Sequence, residues 1–139
     1  MKELEGKVAL VTGAGQGVGE GIALALAAEG VNVVVTGRTE KKLVKTVSAI
    51  VDRGGKALAV VCNVKSSTDM ARAVDETVSH FGGLNILVNN AQEVPNGLLN
   101  DVSDEAFTAG FESGPLATLR LMKLAYPHLK GDGCIVNLA

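Results

Sequence analysis

An apolar run, Val8-Ala9-Leu10-Val11, passes directly into Thr12-Gly13-Ala14-Gly15-Gln16-Gly17-Val18-Gly19, and a small-residue stretch from Ile22 to Ala28 follows. Read as strand, turn and helix, this succession constrains the chain more than any other feature. Glycines permit a tight turn with positive φ and let the backbone approach a ligand closely. The N–H groups and dipole of the helix start attract negative charge. The segment predicts a diphosphate site at the carboxyl end of a first strand. A glycine-rich loop can also simply turn the chain, but its placement between a buried strand and a helix favours a dinucleotide.

Short β-branched runs recur at Val8 to Val11, Val33 to Thr36, Ala57 to Cys62, Ile86 to Val88 and Cys134 to Leu138, with helix-like stretches between them. Runs apolar on both faces belong to parallel strands covered by helices on each side, so the expected class is α/β, a doubly wound parallel sheet. Leu43, Val47, Ile50 and Val51 form one helical stripe facing the sheet, and Met70, Val74, Val78 and Phe81 form another. Ser66 or Ser67 is placed to cap the third helix and Ser103 the fourth. Gly30, Gly54-Gly55 and Gly82-Gly83 are placed to end the first three.

The stretch from Leu116 to Ala125 is apolar almost all round. Either a second subunit or a neighbouring helix of the same chain would cover its outer face. A homo-oligomer contact through residues 104–128 is the partner reading. Gly114-Pro115 lies inside this segment, where proline removes a donor and clashes with the preceding turn. The expectation is a kink or break, or two helices joined by a short turn with Pro115 in a first turn.

At 139 residues the chain suits one domain, and its 47% hydrophobic content excludes wholesale disorder. Thirteen basic against 15 acidic side chains give no basic stripe for nucleic acid or an anionic membrane. The charged start of the chain and the lack of a long apolar run point to neither a signal peptide nor a membrane span, so the expected compartment is the cytoplasm. Cys62 and Cys134 sit in apolar runs without ligand spacing and read as small buried hydrophobes, so no metal site is expected. His80 and His128 lie near helix ends and read as surface residues, and Tyr126 as a core or interface tyrosine.

The chain resembles the short-chain dehydrogenase/reductase family, Rossmann-fold enzymes that move hydride between NAD(P) and an alcohol or carbonyl carbon. Thr12, Gly13, Gly17 and Gly19 meet the family's TGxxxGxG pattern, and Asn89-Asn90-Ala91 supplies its NNAG element up to the last position. The resemblance implies a cofactor-binding set of Gly13, Gly15, Gln16, Gly17, Val18, Gly19, Arg38, Asn63, Val64, Asn90 and Ala91. The glycine loop would cradle the diphosphate, Asn63 and Val64 would meet the adenine, and the NNA segment would line the ribose. At the end of the second strand an acidic residue suits NAD and an arginine suits the 2′-phosphate of NADP. Gly37-Arg38-Thr39 stands there, with no carboxylate nearby in sequence before Glu40, so NADP is favoured over NAD.

Three departures qualify the resemblance. Gln92 replaces the glycine after Asn89-Asn90-Ala91, and Gly114 falls where the family carries a relay asparagine. The family's catalytic serine would come directly after Ala139, with its tyrosine and lysine further on, so no catalytic residue is assigned within the chain. The resemblance thus implies that residues 1–139 are an NAD(P)-binding Rossmann domain, incomplete at its C-terminal end. Its parent would be an oxidoreductase acting on a small carbonyl or alcohol substrate. The alternative is a catalytically silent nucleotide-binding module or regulatory subunit. Against that alternative, Cys134 to Leu138 would become an apolar, uncharged sheet edge. A methyltransferase would need an acidic group where Arg38 stands.

Overall fold

The computed structural model describes residues 3–129 and 131–139. Five parallel strands, β1 (Val8–Val11), β2 (Asn32–Gly37), β3 (Ala57–Val61), β4 (Ile86–Asn89) and β5 (Cys134–Asn137), form one sheet in the order β3-β2-β1-β4-β5. β1 is central: Val11 pairs in register with Val35 of β2 and with Val88 of β4. The chain therefore reverses its winding direction at β1. In an open α/β sheet that reversal opens a crevice beyond the carboxyl ends of the strands.

The helices α1 (Gly17–Ala28), α2 (Glu40–Val51), α3 (Ser67–Phe81), α4 (Asp104–Phe111) and α5 (Ala117–Ala125) connect the strands. Side-chain alternation along each strand splits the core in two. On one face Leu10, Val34, Val60 and Leu87 pack with Met70 and Val74 of α3 and Leu121 and Ala125 of α5. On the other, Ala9, Val11, Val33, Val35, Ile86 and Val88 pack with Ala23 of α1 and Leu43 and Ile50 of α2. These strands are apolar without alternation because both faces are covered.

Ser66 caps α3 by accepting from the Asp69 N–H, and Ser103 caps α4 by accepting from the Ala106 N–H. Gly82 closes α3 in the left-handed conformation, with φ of 83°. The second helix buries Leu43, Thr46 and Ile50, whereas Val51 is exposed at its last position. The expected stripe thus runs one residue too far, and Thr46 fills the position that an apolar count passes over.

Around Pro115 the helix neither breaks nor turns. A single π turn, Glu112–Leu116, carries α4 into α5. Widening the turn absorbs the missing proline donor. Cys134 is exposed rather than buried, because β5 is the outermost strand and has β4 as its only strand neighbour among the described residues. Tyr126 is 76% exposed and so is no core residue. No helix is long and apolar enough to cross a membrane among the described residues.

Candidate functional site

The glycine loop is held from below by hydroxyl and amide groups. Thr12 is buried at the end of β1, and its Oγ1 accepts from the N–H groups of Asn90 at 3.0 Å and Ala91 at 2.9 Å. Asn90 Nδ2 returns the contact, donating to the carbonyls of Thr12 at 3.0 Å and Gly13 at 3.2 Å. Thr46 Oγ1 of α2 donates to the Ala14 carbonyl at 3.0 Å, and the Ala14 N–H donates to the Thr36 carbonyl at 2.9 Å. Three strand ends and one helix thereby fix the turn, in a region where an unpaired buried amide would be costly.

Above this foundation lies a cleft of about 370 Å³, within the size range of small-molecule sites. Gly13, Gly15, Gln16, Gly17, Val18, Arg38, Asn63, Val64, Asn90 and Ala91 all line it, together with Thr39, Lys42, Cys62, Gln92, Glu93 and Ser113. Ten of the eleven residues expected at a cofactor site therefore converge. Gly19 is the exception. It is buried under the loop, where a Cβ would collide with the Gly13 carbonyl and the Asn90 amide, so the missing side chain lets α1 pack closely there.

Gly17 has the opposite surroundings. Its φ is +57°, and a Cβ there would meet nothing within 4 Å. The residue forms the open crest of the loop at the first position of α1, and the N-cap Gln16 makes no side-chain cap bond. Helix starts of this kind satisfy their first-turn amides with water or a ligand. Gln16 is engaged elsewhere, accepting from Lys42 Nζ of α2. An anionic diphosphate fits this cradle in shape and in charge.

The titratable groups lining the cleft are Arg38, Lys42, Glu93 and Cys62. Burial, with Asp69 nearby, pushes the Cys62 thiol up to about 11, against an opposing pull from Arg72. It is therefore an unreactive wall of the cleft rather than a nucleophile. Asn63 forms an Asx turn, with Oδ1 accepting from the Lys65 N–H at 3.0 Å, while its own N–H donates to Asp69 at 3.0 Å. The carbonyl retains a second lone pair for an outside donor.

Sequence distance concealed Glu93. The carboxylate expected to be missing beside Arg38 is supplied from 55 residues away: Arg38 Nη1 lies 3.0 Å from Glu93 Oε1, and Lys65 Nζ lies 3.1 Å from the same oxygen. The Glu93 N–H donates to Ser113 Oγ at 2.7 Å, which ties the loop after β4 to the π turn. Gly114, in that turn, has open space where a Cβ would stand. His80, His128 and Tyr126 lie away from the cleft lining, and no cluster of metal-ligating side chains occurs among the described residues.

The model of the short chain dehydrogenase family matches residues 7–139. A short chain dehydrogenase of Emericella nidulans is 39% identical over 137 residues, covering 98% of this chain and 52% of the relative. Versicolorin reductase 1 of Dothistroma septosporum is 39% identical over 134 residues, covering 96% and 51%. Among solved structures, a short chain dehydrogenase of Burkholderia cenocepacia in complex with NADP superposes with a TM-score of 0.92 at 35% identity, covering 96% of this chain and 55% of that one. A 7α-hydroxysteroid dehydrogenase complexed with NADH and 7-oxo glycochenodeoxycholic acid gives 0.91 at 31% identity, covering 98% and 54%. The chain spans about half the length of the curated relatives it matches.

Proposed function

The chain belongs to the short chain dehydrogenase family, and from that premise we propose that it is the cofactor-binding portion of an NADP-dependent oxidoreductase. The observation that carries this reading is that residues following β1, β2, β3 and β4 share one cleft at the carboxyl ends of these strands. There the open glycine crest stands within one pocket of the Arg38 guanidinium. When bound, NADP supplies hydride exchange at its nicotinamide ring with a carbonyl or alcohol carbon.

The residues of this chain bind and orient. The crest at Gln16, Gly17 and Val18 takes the diphosphate. Arg38 offers a planar, permanently charged fork to the 2′-phosphate, with Lys42 adding positive charge on the same rim. Asn63 and Val64 form the wall for the adenine, and Asn90 and Ala91 line the ribose. Gln92 lines the same cleft, on the side of the loop after β4 where the nicotinamide half would lie. Helix packing between subunits through residues 104–128, with exposed Phe107, Phe111, Leu119 and Tyr126, is the proposed homo-oligomer contact, and the cytoplasm the proposed compartment.

The reading is tested by following oxidation of NADPH by the intact protein with a panel of carbonyl compounds. The panel should include the hydroxynaphthalene type after which two relatives are named, a probable tetrahydroxynaphthalene reductase of Zymoseptoria tritici and a hydroxynaphthalene reductase-like protein of Metarhizium robertsii. Turnover of at least one carbonyl with NADPH is expected. Stable, saturable binding without turnover of any compound, or no binding, counts against it.

A further inference from the structure

Three charged side chains from three successive strand ends meet at the cleft rim. Arg38 follows β2, Lys65 follows β3 and Glu93 follows β4. Both cations reach one carboxylate oxygen, at 3.0 and 3.1 Å, so the trio carries one positive charge in excess. β2 and β4 flank β1 on opposite sides, so the Arg38–Glu93 pair spans the glycine loop. The Glu93 backbone is fixed independently through its N–H to Ser113 Oγ, so the side chain can leave the cations without releasing the loop.

Resting on the NADP reading above, we propose that Glu93 is a specificity-determining residue: a resident counter-ion that a ribose phosphate must displace from Arg38 and Lys65. The guanidinium fork that pairs with a carboxylate is the same fork that pairs with a phosphate. A 2′-phosphate therefore competes with Glu93 for Arg38 and is repelled by the carboxylate it displaces. An unphosphorylated ribose makes neither demand and leaves the trio in place. Glu93 thus lowers the affinity for the phosphorylated dinucleotide selectively, and its charge sets how strongly the cleft separates the two cofactors. Arg38 is about two-thirds exposed, so screening keeps the effect modest.

The test is a titration of wild-type and Glu93→Gln protein with NADPH and with NADH. The substitution keeps shape and an acceptor oxygen but removes the charge. NADPH binding is expected to tighten about three- to fivefold while NADH binding stays nearly unchanged. Glu93→Ala, which removes the carboxylate by truncation, should move the ratio in the same direction. Equal changes for both cofactors, or none, would overturn the proposal and leave Glu93 a loop-ordering residue. Failure of wild-type protein to bind either dinucleotide would instead overturn the NADP reading on which it rests.

Discussion

Thr12 and Asn90 hold each other twice: Thr12 Oγ1 accepts from the Asn90 N–H at 3.0 Å, and Asn90 Nδ2 donates to the Thr12 carbonyl at 3.0 Å. The two residues stand at the ends of adjacent strands, β1 and β4, on the two sides of the crevice. Their exchange makes the glycine loop and the loop after β4 one rigid unit. Thr12→Val keeps the volume but strands the N–H groups of Asn90 and Ala91. It should cost about 2–3 kcal/mol, read as a lower denaturation midpoint together with weaker dinucleotide binding.

Three glycines of one segment should respond to alanine in three ways. Gly19→Ala drives a methyl into the Gly13 carbonyl and should cost about 3 kcal/mol or prevent folding. Gly17→Ala has room but a φ of +57°, and should cost about 1 kcal/mol while crowding the crest. Gly21→Ala, exposed in α1 with nothing within 4 Å, should stabilise by about 0.5–1 kcal/mol. Thermal melting of the three variants checks the order.

Arg38→Ala removes the phosphate fork and leaves the adenine wall intact. NADPH affinity should fall about tenfold or more, with NADH affinity nearly unchanged, as measured by nicotinamide fluorescence. A parallel loss for both cofactors would place Arg38 in loop structure instead.

The Cys62 thiol should resist alkylation at neutral pH. Its pKa is raised to about 11 from 9.0, so the folded protein keeps the proton that the unfolded chain releases. Stability held below about pH 9 is therefore lost as pH climbs towards 11. Mass-resolved labelling should show Cys62 modified only as that window is entered, with bound NADP slowing the reaction because Cys62 lines the same cleft.

Most of this architecture was legible because its signals are local. Apolar runs mark strands buried on both faces, and Ser66 and Ser103 announce helix starts through bonds three residues long. Ten cleft residues were legible because a glycine turn and strand-end segments carry them. What escaped depends on contacts between distant segments. Glu93 meets Arg38 across 55 residues, and no pattern in either neighbourhood announces the other. Cys134 has a strand-like sequence, but its exposure follows from lying on the outermost strand. Gly19 reads as part of a glycine motif, and the sequence does not announce that a Cβ there would meet Gly13 and Asn90. Pro115 announces a disturbance without specifying that a π turn will absorb it.

The most direct measurement is a side-by-side titration of the intact wild-type protein with NADPH and NADH, followed by nicotinamide fluorescence. Saturable binding of both at one shared site is expected, with NADPH tighter by about tenfold. Tighter binding of NADH, or binding of neither, would contradict it.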